Sequence, residues 1–251
     1  MSIELNYSGH VAELTLNNPE KRNVLDLTTS RALKSAVDEA VSRPDTKAIL
    51  LLATGRAFCA GGSLDELLAA QQDTSLLGQI YVGFLAVADC PLPTLAAVQG
   101  AAVGAGMNLA LACDVRLVAP QASFDTRFLQ LGIHCGGGHS WLLQRVLNWE
   151  QGINALLLGQ VLRGEQAVAA GLALACVEQE NLQAKAHSQL ANLAAVPRSL
   201  IEQSKATLAR AASAAGHREM VDHEYVVQAD SLQQPHAVET LQALKRKIAG
   251  K

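Results

Sequence analysis

Twice in this 251-residue chain a continuous apolar run ends in glycines and then turns into helix-forming sequence: "KAILLLATGRAFCAGGSLDELL" (47–68) and "PTLAAVQGAAVGAGMNLALAC" (93–113). An unbroken apolar strand must be covered on both faces, so these runs restrict the chain to a core of buried, parallel-type strands alternating with helices, an α/β fold. Each glycine costs a helix or strand roughly 0.5–1 kcal/mol relative to alanine. A cluster of them therefore needs a return in geometry. The usual return is close approach of backbone N–H groups to something negative.

The rest of the chain fills out that plan. "IELNY" and "VAELTL" alternate around Ser8-Gly9 and read as a hairpin, and "LTTSRALKSAVDEAVS" recurs at helical spacing as far as Arg43-Pro44. "DVRLVA" reads as a further strand, and a helix precedes "DCPLPT". From about Trp141 the pattern turns nearly all helical, through "SWLLQRVL", "WEQGINALLLG", "GEQAVAAG", "LQAKAHSQLANLAAV", "RSLIEQSKATLARAA" and a last helix opening near Pro235. We divide the chain into a core over residues 1–195 and a helical subdomain over 196–251.

A hydrophobic content of 49% supports a large buried core, and a net charge of −3 with pI near 6.2 gives no basic field of the kind nucleic acid requires. Apolar stretches are broken well before a membrane-spanning length, and "MSIELNYSGHVAEL" lacks a basic segment followed by an apolar one. A cytoplasmic protein without nucleic-acid or membrane partners is expected. Five cysteines with no C-x-x-C spacing fit reduced, mostly buried thiols.

If the two glycine-bearing strands are neighbours, one N–H from each loop can converge on a single oxygen, making the two-donor oxyanion hole of acyl chemistry. Competing glycine motifs fail. "GAGMNL" has Leu109 where a dinucleotide fingerprint needs its third glycine, no phosphate-binding loop occurs, and Ser63 lacks the G-x-S-x-G frame.

With these features, "NNPEKRNVLD", "GRAFCAGGSLDEL", "PTLAAVQGAAVGAGMNLALACDVRLVA", "ASFDTRFLQLGIHCGGGH" and "GLALACVEQENL" resemble, in order and spacing, the signature blocks of the crotonase, or enoyl-CoA hydratase/isomerase, superfamily. The resemblance covers essentially the whole chain. It implies a spiral β-β-α core with C-terminal helices that mediate trimerisation, often into dimers of trimers. It implies a coenzyme A thioester, or an acyl-carrier-protein thioester, as substrate, with no separate cofactor. The carbonyl oxygen would lie on the N–H groups of Gly62 and Ala105. Lys21 and Arg22 match the loop that contacts ribose and phosphate, and Ala60 and Leu64 the adenine and pantetheine edge. Val24, Ser63, Gly104, Phe128, Leu131 and Gly136 complete the implied substrate contacts. Asp65 stands where many relatives carry a lysine. Lys205, Lys245, Arg246 and Lys247 could add charge, although helix lysines and arginines are ordinarily solvated.

A hydratase of this family faces a water with two glutamates, and here the matching positions are Asn108 and Phe128. Neither transfers a proton at neutral pH. "DTRFLQLGIHCGGGH" supplies other groups, namely Asp125, Arg127, His134, Cys135 and His139. His139 precedes a helix, whose positive N-terminal potential favours a neutral imidazole. Tyr81 and His236 are further candidates to reach an acyl group. His134, Cys135 and His139 lack a fourth ligand for zinc, so no metal is expected. The reading that results is an enzyme stabilising a thioester enolate without the usual hydratase acids. Its alternatives are a non-catalytic thioester binder and an ordinary hydratase with Asp125 or His139 as substitute base.

Overall fold

The computed structural model describes residues 2–249, in two compact units that divide at Ala194/Ala195. The first opens with an antiparallel hairpin, β1 (Ile3–Ser8) and β2 (Val11–Leu16), leading into α1 (Leu27–Ser42). Asp26 caps α1 by accepting the Thr29 N–H at 2.7 Å, and Pro44 lies just past its end.

A β-β-α turn then repeats three times. It runs first through β3 (Ala48–Ala53), β4 (Ala57–Cys59), α2 (Leu64–Ala69) and α3 (Ser75–Ala88). The second turn is β5 (Thr94–Val98), β6 (Ala101–Val103) and α4 (Ala105–Ala112); the third is β7 (Val115–Val118), β8 (Ser123–Asp125) and α5 (His139–Gln144). α6 (Trp149–Leu156), β9 (Leu162–Arg163), α7 (Gly164–Ala169), β10 (Ala175–Cys176) and α8 (Gln179–Leu190) complete the unit. The first strand of each turn joins a six-stranded sheet ordered β1-β2-β3-β5-β7-β10, and the second joins a four-stranded sheet ordered β4-β6-β8-β9. Apart from β1–β2 and β8–β9 all pairings are parallel. This is the α/β spiral expected from the sequence.

The apolar run of β3 is unbroken because both its faces are buried. Ile49 and Leu51 belong to the main core with Leu14, Phe58, Phe84 and Phe124, while Ala48 and Leu50 pack in a second cluster with Leu95, Leu117 and the α8 residues Leu182, Ala186 and Leu190. The apolar stripe of α8 is thus used within the unit itself.

Helix α4 can start where it does because Gly106 is bare: a Cβ there would stand 2.1 Å from the Cys59 carbonyl oxygen. At its other end Arg116, buried on β7, donates Nε to the Leu172 carbonyl and Nη1 to that of Cys113, each at 2.6 Å. A cation is thereby fixed against the negative end of the α4 dipole.

The second unit holds α9 (Arg198–Ala211), α10 (His217–Leu232) and α11 (Pro235–Ala249). It buries little: Ile201 and Met220 are its buried apolar residues among those described, whereas Leu208, Tyr225, Val226 and Ile248 are each at least 65% exposed. Helix α10 was not among the helices expected from the sequence, because its apolar residues form no buried stripe.

Candidate active site

Because β4, β6 and β8 run parallel, the loops leaving their C-terminal ends open on one edge. They enclose a cleft of about 1050 Å³, ample for a small-molecule ligand. Gly62, Ala105, Asn108 and Phe128 all line it, as do Val24, Ala60, Ser63, Leu64, Gly104, Leu131 and Gly136.

The Gly62 amide owes its direction to the neighbouring chain. Leu25 forms a parallel bridge with Gly62, its N–H bonding to the Gly61 carbonyl at 2.8 Å and its carbonyl accepting the Ser63 N–H at 3.1 Å. In such a bridge the partner residue's own N–H and C=O point the other way. The Gly62 N–H is therefore turned away from Leu25, with no backbone acceptor among the described residues. Helix α2 starts only at Leu64, with Ser63 as its cap, so Gly62 lies in the extended chain just ahead of it. Ala105, in contrast, is the first residue of α4 and keeps the unpaired N–H of a helix start. One donor comes from a bridge and the other from a helix, and they share one cleft.

Side chains complete the lining. Asn108, 1% exposed, donates Nδ2–H to the Gly136 carbonyl at 2.9 Å, and its Oδ1 lies 2.7 Å from His139 Nδ1. His139, also 1% exposed, packs edge-on against Phe128 with ring centroids 5.0 Å apart. Burial pushes its imidazole down to about 4, and Nε2 has no hydrogen-bond partner. Burial disfavours the charged ring, and His139 is also the first residue of α5, at the helix start expected from the sequence. Tyr81 lines the cleft beside Gly136, and partial burial, reinforced by Cys135, raises its phenol above the usual range.

A family model described as enoyl-CoA hydratase/isomerase matches residues 6–249. The chain belongs to that family. A Mycobacterium tuberculosis protein named "Probable enoyl-CoA hydratase EchA14" is 41% identical, with 98% of each chain covered. The 1,2-epoxyphenylacetyl-CoA isomerase of Escherichia coli is 34% identical, with 74% of each covered. The crystal structure of an enoyl-CoA hydratase from Bacillus anthracis superposes with a TM-score of 0.92 at 25% identity, covering 98% of this chain and 97% of that one.

Within this enoyl-CoA hydratase/isomerase fold the remaining candidates divide. Asp125 is buried on β8 outside the cleft lining, and Arg127 engages it: Arg127 N–H donates to Oδ1 at 3.0 Å and the guanidinium to Oδ2, also at 3.0 Å through Nε. The structure therefore places Asp125 against Arg127 and not among the residues that line the cleft. Arg127 itself lines the cleft with φ +56°. His134 lines the cleft but is exposed, its Nδ1 within 2.7 Å of the Cys135 carbonyl. Cys135 is half-buried and outside the lining, and no cluster of metal-binding side chains occurs among the described residues. Lys21, Arg22 and Asp65 stand exposed around the cleft. Lys205, His236, Lys245, Arg246 and Lys247 belong to the second unit. No helix among the described residues is long and apolar enough to cross a membrane.

Two residues that shape the cleft were not expected from the sequence. Buried Asn23, at φ +55°, donates Nδ2–H to the carbonyls of Thr54 and Ala57 at 2.9 Å and accepts the Asn18 N–H at 2.8 Å. It ties the loop carrying Arg22, Val24 and Leu25 to the strand that leads to Gly62. Glu66 offers both carboxylate oxygens to the Leu27 N–H at 3.0 Å, joining the first turns of α1 and α2. The one available signal for Asn23 was an amide, a residue type tolerant of the left-handed region, inside "KRNVL".

Proposed function

We propose that the protein acts on coenzyme A thioesters, binding the thioester carbonyl oxygen at the N–H groups of Gly62 and Ala105 and stabilising the enolate that forms there. The observation that carries this reading is the pair of unpartnered amides lining one cleft. When the α-carbon takes up negative charge, the charge moves to the carbonyl oxygen, and two fixed donors stabilise it without reorganising; removing one such donor elsewhere has cost about 2.7–4 kcal/mol. Arg22, Lys21 and the Ala60–Leu64 edge suit the phosphates and the pantetheine arm. Coenzyme A enters as part of the substrate, not as a resident cofactor. An acyl-carrier-protein thioester presents the same carbonyl to the same donors.

The reaction differs from standard syn hydration. Asn108 and Phe128 stand at the two acid/base positions, and Asp125 is held by Arg127. Decarboxylation, isomerisation and C–C cleavage pass through an enolate, and thioester cleavage through a tetrahedral oxyanion that the same two donors would hold; all four are open to this site. General acid–base groups contribute about 10²–10⁴-fold each, so crotonyl-CoA hydration should fall several decades below that of a glutamate-bearing hydratase. An absorbance assay across chain lengths decides. Turnover of crotonyl-CoA at about hundreds per second overturns the reading, and loss of such a rate in His139→Ala or Asp125→Asn would identify a substitute base. The exposed apolar residues of the second unit support assembly into a trimer or a dimer of trimers; light scattering that reports a monomer at micromolar concentration overturns that.

A further inference from the structure

We infer that His139 is a positioning residue, which holds Asn108 with an amide N–H presented to the cleft so that the site selects thioesters whose acyl group carries a further oxygen acceptor. The inference rests on the thioester reading above. The Gly136 carbonyl can only accept, so the group 2.9 Å away must be the amide nitrogen of Asn108. That turns Oδ1 toward His139, 2.7 Å from Nδ1. Since Oδ1 can only accept, Nδ1 must carry the imidazole proton. A neutral ring has one proton, which leaves Nε2 bare, the atom found buried without a partner.

One backbone carbonyl thus fixes the amide, and the amide fixes the tautomer. Gly137 lets the loop close on the pair: a Cβ there, at φ +67°, would lie 3.0 Å from Asn108 Nδ2 and 2.5 Å from the Phe84 ring. Asn108 retains one N–H with no partner among the described residues, on a side chain that lines the cleft. A buried donor without a partner is more costly than a carbonyl with one lone pair unmet. A ligand oxygen satisfies that donor and a methylene cannot. The class selected is therefore an acyl thioester bearing a keto or hydroxyl oxygen beyond the thioester carbonyl. Glutamate at this position would present acceptors instead.

Calorimetry with acetoacetyl-CoA and butanoyl-CoA, equal in chain length, reads the selectivity, and ¹⁵N NMR of the intact protein reads the tautomer. Roughly tenfold tighter binding of acetoacetyl-CoA is expected, as one neutral hydrogen bond supplies. Asn108→Ala should bring the two within about twofold through loss of acetoacetyl-CoA affinity alone. His139→Leu should do the same. His139→Asn, whose Nδ2 stands where Nδ1 was, should restore the preference. His139 should show a pyrrole-type Nδ1 and a pyridine-type Nε2. Equal binding by the wild type, or a preference that survives Asn108→Ala or His139→Leu, overturns the inference and leaves the thioester reading intact. Failure of both thioesters to bind overturns the two together. Should His139→Leu not fold, a pyridine-type Nδ1 in the wild type overturns the positioning role directly.

Discussion

The cleft is lined with two materials, an amide wall and a side-chain wall. The donors of the first are main-chain amides, Gly62 directed by its bridge to Leu25 and Ala105 by its place at the start of α4. The second holds Asn108, one helical turn after Ala105, and Phe128, with His139 packed against both. Substitution can empty the second wall of its acids while the strand order that aims the first persists. On the function proposed above, the amide wall stabilises the enolate and the side-chain wall lacks the hydratase acids. A fold can thus keep the means of stabilising a charge while changing how the charge arises.

The largest expected effect strikes the amide wall alone. Gly62→Pro deletes one donor and should reduce turnover about 10²–10³-fold on the true substrate, with a thermal melt to separate strain from lost catalysis. If turnover holds, the amide wall is not the catalytic one. Next is the scaffold common to both walls. Arg116→Ala removes a cation buried among backbone carbonyls at the end of α4 and should cost about 3 kcal/mol in urea unfolding, with any lost activity following lost stability.

A smaller effect isolates the side-chain wall. His139 is held neutral down to about 4, against about 6.5 for an ordinary histidine, so between those values the unfolded chain binds the extra proton. The stability it contributes is whole above pH ~6.5 and declines as pH falls toward 4, by about 2 kcal/mol between pH 7.5 and 5. The His139→Asn variant should flatten that part of the pH profile; an unchanged profile would mean the ring is not buried as described. Smallest is Ser63→Ala, which removes the cap of α2 next to Gly62 and should cost about 1 kcal/mol with little change in kcat.

Legibility in the sequence tracked burial. α1 could be read to its ends because Asp26 and Pro44 bracket an apolar stripe, and β3 and β5 because both faces are covered. The three-residue strands β4, β6 and β8 were absorbed into neighbouring turns, since three buried residues carry no periodicity. The repeated β-β-α turn was therefore expected from the family resemblance and not from the periodicity of the residues. In the site, glycines marked the amide wall. The Asn108–His139 bond, the Asp125–Arg127 pair and the Asn23 clasp join residues through the fold, and no local pattern announces which polar side chain faces which.

The strand order β1-β2-β3-β5-β7-β10 has each new strand of the large sheet laid beside its immediate predecessor in that sheet. A chain emerging from the ribosome therefore meets, at each turn of the spiral, a template that has already been synthesised. Parallel pairing usually makes folding slow because distant segments must find one another. Here that search can proceed in the order of translation, and the cleft acquires its walls one coil at a time: first the Gly62 loop, then Ala105 and Asn108, and last the segment bearing Phe128 and His139.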